Sequence, residues 1–192
     1  MQDTFMQDMS IPEPKSPMAE APLPPKLADV FAKHQQPEAL FTALLPKVCE
    51  VLQTDRCFLQ VRNPDLRLSR IFCWRRCPAF PDVSTATWQP EEPWEDRDPM
   101  FAAALRADPS IFVEDVETAG SEVLNLDFER ETFGHRALIH AHICQEGKLW
   151  GILQPCIFGH PRVWSSEDRA IVAKIIERVR SSVVSYGETA MT

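Results

Sequence analysis

The 192-residue chain is 44% hydrophobic and 25% charged, enough apolar mass for one domain with a core of its own but not for a second, enzymatic domain. Its net charge of −8 is scattered in short patches, and apart from Arg75-Arg76 and the group Arg169, Lys174, Arg178 and Arg180 no basic stripe exists, which disfavours nucleic-acid binding. No apolar run approaches the roughly 20 residues of a membrane span, and no basic stretch precedes an apolar one at the N-terminus, so the expectation is a cytoplasmic protein without membrane insertion.

Residues Met1 to Pro25 carry Pro12, Pro14, Pro17, Pro22, Pro24 and Pro25 with few large apolar groups. Ordering them would cost entropy that little burial offsets, so they read as a disordered tail, with a partner-binding polyproline segment as the alternative. The domain is expected over residues 26–186, with residues 187–192 as a flexible end. A helix is expected from Pro37, carrying Leu40, Phe41, Leu44, Leu45, Val48, Val51 and Leu52 on one broad face, with a kink at Pro46. Asp55 to Arg62 and Arg67 to Arg75 read as paired strands around the turn Asn63-Pro64-Asp65, the first with Cys57, Leu59 and Val61 on one face and the second with Ile71, Cys73 and Arg75 on one face.

Arg76 to Arg97 is rich in proline and tryptophan without a sustained period, and reads as a long loop that must pack Trp88 and Trp94. Asp98-Pro99 then opens a short helix through Ala107, with Asp98 as its N-cap. A short strand follows at Ser110 to Val113, and one or two helical turns around Gly120 between Asp115 and Phe133. Ala137 to Cys144 alternates, with Ala137, Ile139, Ala141 and Ile143 on one face and Leu138, His140, His142 and Cys144 on the other. After the polar break Gln145-Glu146-Gly147-Lys148, Leu149 to Phe158 completes a hairpin. Ser165 and Asp168 then form a capping-box start for a helix running to about Tyr186. This order implies an α+β fold: an antiparallel central sheet, N- and C-terminal helices on one face, and a loop and short-helix insertion over the other, where a ligand would sit.

The segments Arg136-Ala137, Leu149-Trp150-Gly151 and Pro161-Arg162-Val163-Trp164 resemble in spacing the end of a GAF domain of the phytochrome and cyanobacteriochrome branch. Asp98-Pro99-Met100-Phe101 and Asp115-Val116-Glu117-Thr118-Ala119-Gly120 fall where that branch has an Asp-x-Cys-Phe and a D-x-x-x-A-G segment. The resemblance covers about Glu38 to Val184 and implies a GAF fold with ligand-pocket geometry. It also implies where bilin thiols would stand, and this chain has Leu124-Asn125 in place of the Cys-His dipeptide, Met100 in place of the second cysteine, and Cys156 in place of the pocket histidine. No covalent bilin is therefore expected, and the ligand is otherwise open.

The same resemblance turns Leu138, His140, His142 and Cys144, together with Trp150, Ile152, Gln154 and Cys156, toward the ligand side, with Met100 and Phe101 beside them. If His140, His142 and Cys156 converge, they offer the donor types of a zinc, iron or haem site. The plainer reading is hydrogen-bonded core histidines and a packed thiol. Cys49, Cys57, Cys73, Cys77, Cys144 and Cys156 sit mostly in apolar segments and read as buried thiols, and Cys73 with Cys77 lacks the further ligands that zinc needs. No nucleophile elbow, P-loop or zincin spacing is present, so no enzyme is expected. In the last helix Val172, Ile176, Val179 and Val183, widened by Ile171 and Ile175, make a core stripe whose surplus would pair two copies into a homodimer through the terminal helices.

The reading is a stand-alone, non-catalytic sensory or regulatory domain that binds a small ligand non-covalently or acts through protein contacts. The alternatives are a metal- or haem-binding redox sensor using His140, His142 and Cys156, and an adaptor whose proline-rich tail and tryptophan loop hold an unidentified protein partner.

Overall fold

The computed structural model describes residues 22–191, so the expected tail up to Ala21 lies outside the described residues. Pro25 belongs to the domain rather than to the tail. It occupies the first turn of α1 (Pro25–Lys33), where its missing N–H leaves nothing unbonded. The sequence reading assigns no element here, because the buried face of α1 is only Leu27 and Val30, too short to register as a period. Helix α2 (Pro37–Leu52) has Pro46 in its interior and runs on past it, closed by Gln53 in the left-handed region.

Strands β1 (Arg56–Asn63) and β2 (Leu68–Arg75) form the first hairpin, and its turn is held by Asn63 Oδ1, which accepts from the backbone of Asp65 and Leu66. The long loop beyond is not featureless. It contains the two-residue strand β3 (Gln89–Pro90) and a 3₁₀ turn at Trp94–Asp96. Helix α3 (Pro99–Leu105), strand β4 (Ile111–Val113) and helix α4 (Leu126–Thr132) complete the insertion. The second hairpin is β5 (Ala137–Gln145) with β6 (Lys148–Ile157), and α5 (Ser166–Gly187) starts at the expected capping box of Ser165 and Asp168.

All pairings are antiparallel, and the sheet order is β3-β2-β1-β6-β5-β4. The α+β architecture is the expected one. The apolar halves of β1, β5 and β6 meet α1, α2 and α5 in one core: Cys57, Leu59 and Val61, then Ala137, Ile139, Ala141 and Ile143, then Leu153 and Ile157. On α5, Val172, Ile175, Val179 and Val183 lie inside this core, and Ile171 and Ile176, half-buried, pack against it. Among the described residues no helix is long and apolar enough to cross a membrane.

One strand departs from simple alternation. Ile143 pairs with Gly151 but Cys144 pairs with Leu149, so Trp150 is the extra residue of a β-bulge in β6. The phase of the strand flips there. Leu149 points with the insertion, while Trp150 turns to the helix side and packs where Gly187 ends α5. Gly151 fits because it has no side chain: a Cβ there would stand 2.7 Å from the Gln60 carbonyl oxygen and 3.1 Å from Val183 Cγ1. We expect Gly151→Ala to lower stability by about 1–3 kcal/mol through overpacking between sheet and helix, measured by urea denaturation.

Candidate ligand-binding site

The insertion-facing side of the sheet is ordered in rows by strand register. One row holds Ile71, Gln60, Ile152 and His142, from the pairs Gln60 with Ile71, Gln60 with Ile152, and His142 with Ile152. The next holds Cys73, Phe58 and Gln154; pairing of Leu138 with Cys156 and Ala141 with Leu153 puts His140 beside Gln154. A third holds Arg75, Arg56, Cys156 and Leu138. Rows two residues apart along a strand are separated by about 7 Å.

Over the first row lies a cavity of about 380 Å³ lined by Gln60, Ser69, Ile71 and Ile152 from the sheet, with Trp94 and Phe101 among its covering residues. Its outer wall is the strap of residues 85–95. Thr85 is tied to Ile71 in both directions, its N–H donating to the Ile71 carbonyl and its hydroxyl accepting from the Ile71 N–H. Glu91 donates its N–H to Arg67 O at 2.9 Å, and its carboxylate takes a bidentate pair of bonds from Arg62. Both side chains of that ion pair are buried, 4% and 6% exposed, and Arg62 spends its remaining amino group on Leu149 O at 3.0 Å. The strap also wraps the sheet edge. Trp88 stacks on Tyr186 at 5.5 Å on the helix side, while Trp94 meets Phe101 edge-on at 5.0 Å on the other. The polar side chains of Gln60 and Ser69 face the cavity.

Beyond the cavity the floor is polar and sealed. Arg56, the largest fully buried side chain, donates to Pro81 O at 3.1 Å and approaches His135 Nδ1 at 3.4 Å. The His135 Nε2 lies 2.6 Å from Glu129 Oε2, with both side chains fully buried. Burial opposes the charged form of His135, yet hydrogen bonding to Cys156 and Glu129 outweighs it and raises the imidazole to about 9. Arg56 can only donate, so its contact competes with a protonated Nδ1, and the contact is correspondingly long. Asp98 accepts from Met100 N–H at 2.8 Å and Asn125 N–H at 2.7 Å, tying the starts of α3 and α4 together. Burial, aided by the charge of Glu129, raises its carboxyl to about 6.

Of the residues expected on the ligand side, Ile152 and Phe101 line the cavity. His140 and Gln154 occupy the adjoining row, and the Phe101 ring lies 4.9 Å from that of His140. His140 Nδ1 lies 2.9 Å from His142 Nε2, and His142 Nδ1 lies 2.7 Å from Asp108 O, so both nitrogens of His142 are engaged. Met100, Leu138 and Cys156 pack instead in an apolar cluster with Leu124, away from the cavity. Trp150 lies on the opposite face because of the bulge. His140, His142 and Cys156 thus fall in three different rows, and among the described residues no group of three His, Cys, Asp or Glu side chains is placed to hold a metal ion. Cys77 is exposed and Cys73 and Cys144 half-buried, so the expectation of buried thiols holds in full only for Cys49, Cys57 and Cys156. Gln60, Arg62, Ser69, Arg56, Glu129 and His135 were not singled out by sequence. Alternation does place Arg56, Gln60 and Arg62 opposite the apolar face of Cys57, Leu59 and Val61, which is the signal that marks them.

The model of the GAF domain family matches residues 36–183, and the chain belongs to that family. Its fold is similar to that of GAF3 from Slr1393 of Synechocystis sp. PCC6803 in the photoproduct state, with 22% identity and a TM-score of 0.58 over 80% of this chain and 94% of that one. A phycoerythrobilin-bound GAF domain from a cyanobacterial phytochrome gives 18% identity and a TM-score of 0.64 over 86% and 96% of the two chains. The GAF domain of an Acinetobacter phosphoenolpyruvate-protein phosphotransferase gives 8% and 0.63, over 85% and 93%. At such identities the likeness concerns the fold. No curated protein matches the chain.

Two expectations follow. Glu91→Ala leaves the Arg62 guanidinium buried beside an unanchored strap, and should cost about 3 kcal/mol while raising amide exchange across residues 85–95. Because the folded-state value of His135 lies above its unfolded value of 6.5, its contribution to stability is complete below that value and lost as pH rises through about 9. Unfolding free energies measured across this window should fall with pH in the wild type and fall less in Glu129→Gln.

Proposed function

We propose that the chain is a non-catalytic sensory or regulatory GAF domain that binds a small molecule non-covalently in the cavity under the strap, and is not a covalent bilin photoreceptor. The observation carrying this reading is a cavity of about 380 Å³ whose floor sets the polar Gln60 and Ser69 beside Ile71 and Ile152, under Trp94, Phe101 and Leu105. That volume falls within the roughly 300–1,000 Å³ of small-molecule sites. No cysteine lines the cavity. The positions that the resemblance gives to bilin thiols are held by Leu124 and Met100, both buried in the apolar cluster.

Electrostatics narrows the ligand. Arg62, the only cation on the cavity wall, is neutralised by Glu91, so no free positive charge awaits a phosphate or carboxylate. Against catalysis stands the enclosure of Cys156: beside His135 and Glu129, it is fully buried, as is Glu129. Protein purified from its own source should carry a small molecule that is seen by native mass spectrometry and released on denaturation. A mass adduct of a tetrapyrrole that survives denaturation would overturn the reading.

A further inference from the structure

The second row of the floor carries polar atoms that nothing in the fold satisfies. The Asp108 carbonyl can only accept, so His142 Nδ1 holds the proton of that bond and His142 Nε2 is the acceptor for His140 Nδ1. His140 is then left with a bare Nε2. Burial, together with the neighbouring His142 and His135, pushes its pKa well below the usual range, so the ring is neutral and this nitrogen offers a lone pair. It is fully buried and has no partner. Gln154, beside it and also fully buried, has no partner at either its amide nitrogen or its amide oxygen. Leaving such groups unpaired in the interior is costly, and the cost would vanish if an apolar side chain stood there. Three unpaired atoms on two adjacent side chains therefore mark a place built for a guest.

Phe101 is the partition between this place and the cavity. Its ring lines the cavity and stands edge-on to His140 at 4.9 Å between ring centres. Along the strands the two spaces are contiguous, since Gln154 is two residues from Ile152 and Phe58 is two from Gln60, with Ile152 and Gln60 lining the cavity. The Phe101 ring, packed between Trp94 and His140, is what stands between them.

We infer that the ligand site continues past Phe101: the cavity takes a planar, largely apolar body, and His140 Nε2 with the Gln154 amide takes an uncharged head group bearing an O–H or N–H. This rests on the cavity being the ligand site. The head group must donate, because His140 Nε2 only accepts, and Gln154 answers with an acceptor and two donors. It must also be neutral. An anion would face the bare His140 lone pair and the Gln154 oxygen, while the nearest cations are already engaged, Arg56 by Pro81 O and His135 by Glu129, and a cation would meet the two donors of the Gln154 amide in an uncharged row.

The test uses three probes on the full chain: naphthalene, 2-naphthol and 2-naphthoate, with affinities read from probe and tryptophan fluorescence. Naphthalene should bind, 2-naphthol should bind about tenfold more tightly through one added buried hydrogen bond, and 2-naphthoate should not bind. In Gln154→Met the advantage of 2-naphthol over naphthalene should fall to roughly twofold or less, and in His140→Leu it should disappear. Gln154→Met removes atoms that no other protein group uses, so its thermal midpoint should equal or exceed the wild type, which keeps the test independent of whether His140→Leu folds. Equal affinity for naphthalene and 2-naphthol, or an advantage that Gln154→Met leaves intact, overturns the extension and leaves the cavity standing. Failure of all three probes to bind overturns the cavity itself.

Discussion

A buried guanidinium must be neutralised, and the way Arg62 meets that demand shapes the ligand side of the molecule. Its charge points off β1 into the space above the sheet, where the Glu91 carboxylate closes on it and brings the whole strap down. The Glu91 backbone is fixed in turn to Arg67, and Arg67 reaches on to Glu95, so one charge pair organises the covering segment from Gln89 to the start of α3. The two tryptophans of that segment are then committed to opposite faces of the sheet. An apolar residue at position 62 would pack as well, but it would leave the strap unregistered and the cavity open.

The segments that identify the family turn out to be fasteners. Asp115 holds Arg136 by two hydrogen bonds, which joins the insertion to the start of β5. Arg162 bonds the end of α2 at the Leu52 carbonyl and the Asp168 carboxylate, while its guanidinium lies 4.6 Å over the Trp164 ring. Trp164 donates to Val113 O at 2.9 Å and so secures the edge strand β4. Asp98 ties α3 to α4. These groups lock loops onto a sheet away from the cavity, and of the same segments only Phe101 and Leu149 reach its lining. A resemblance carried by such residues predicts the fold well and says little about what the fold contains.

The limits of sequence reading follow from the same division. The helix-facing halves of β1 and β5 were legible because Cys57, Leu59 and Val61, and Ala137, Ile139, Ala141 and Ile143, obey a strict period of two against a single apolar layer. Beyond the point where a bulge interrupts the period, prediction failed for a local reason: one extra residue at Trp150 reversed the facing of the hairpin end, and Trp150 had been placed with the ligand residues. The cavity was illegible for a different reason. Gln60, Arg62 and Ser69 come from two strands, Glu91 and Trp94 from an irregular segment without periodicity, and Phe101 from a short helix, so only the tertiary register brings them together. His140 and Gln154 could be named from alternation, but whether they were satisfied core or open site depended on partners that no spacing reveals.

The two faces of the sheet therefore stand under different demands. Against the helices the strands present atoms that need only fit, and Gly151 shows how tight that fit is, with backbone and Val183 where a side chain would be. Against the insertion the same strands present Arg56, Gln60, Arg62, His140, His142, Gln154 and, just before β5, His135, groups whose burial is costly unless each is answered. The fold answers most of them with carbonyls and carboxylates, nearly all drawn from the insertion: Glu91, with Leu149 of β6, for Arg62, Pro81 for Arg56, Asp108 for His142, Glu129 for His135. It does not answer His140 Nε2 or Gln154. Single atoms also go unanswered at Arg56 Nε and Glu129 Oε1, but three are gathered on the adjacent side chains of His140 and Gln154, which is not a slack core, because slack would spare the polar side chains rather than bury them. It is a core with a place kept in it, and its chemistry is set by the strands rather than by the covering loops.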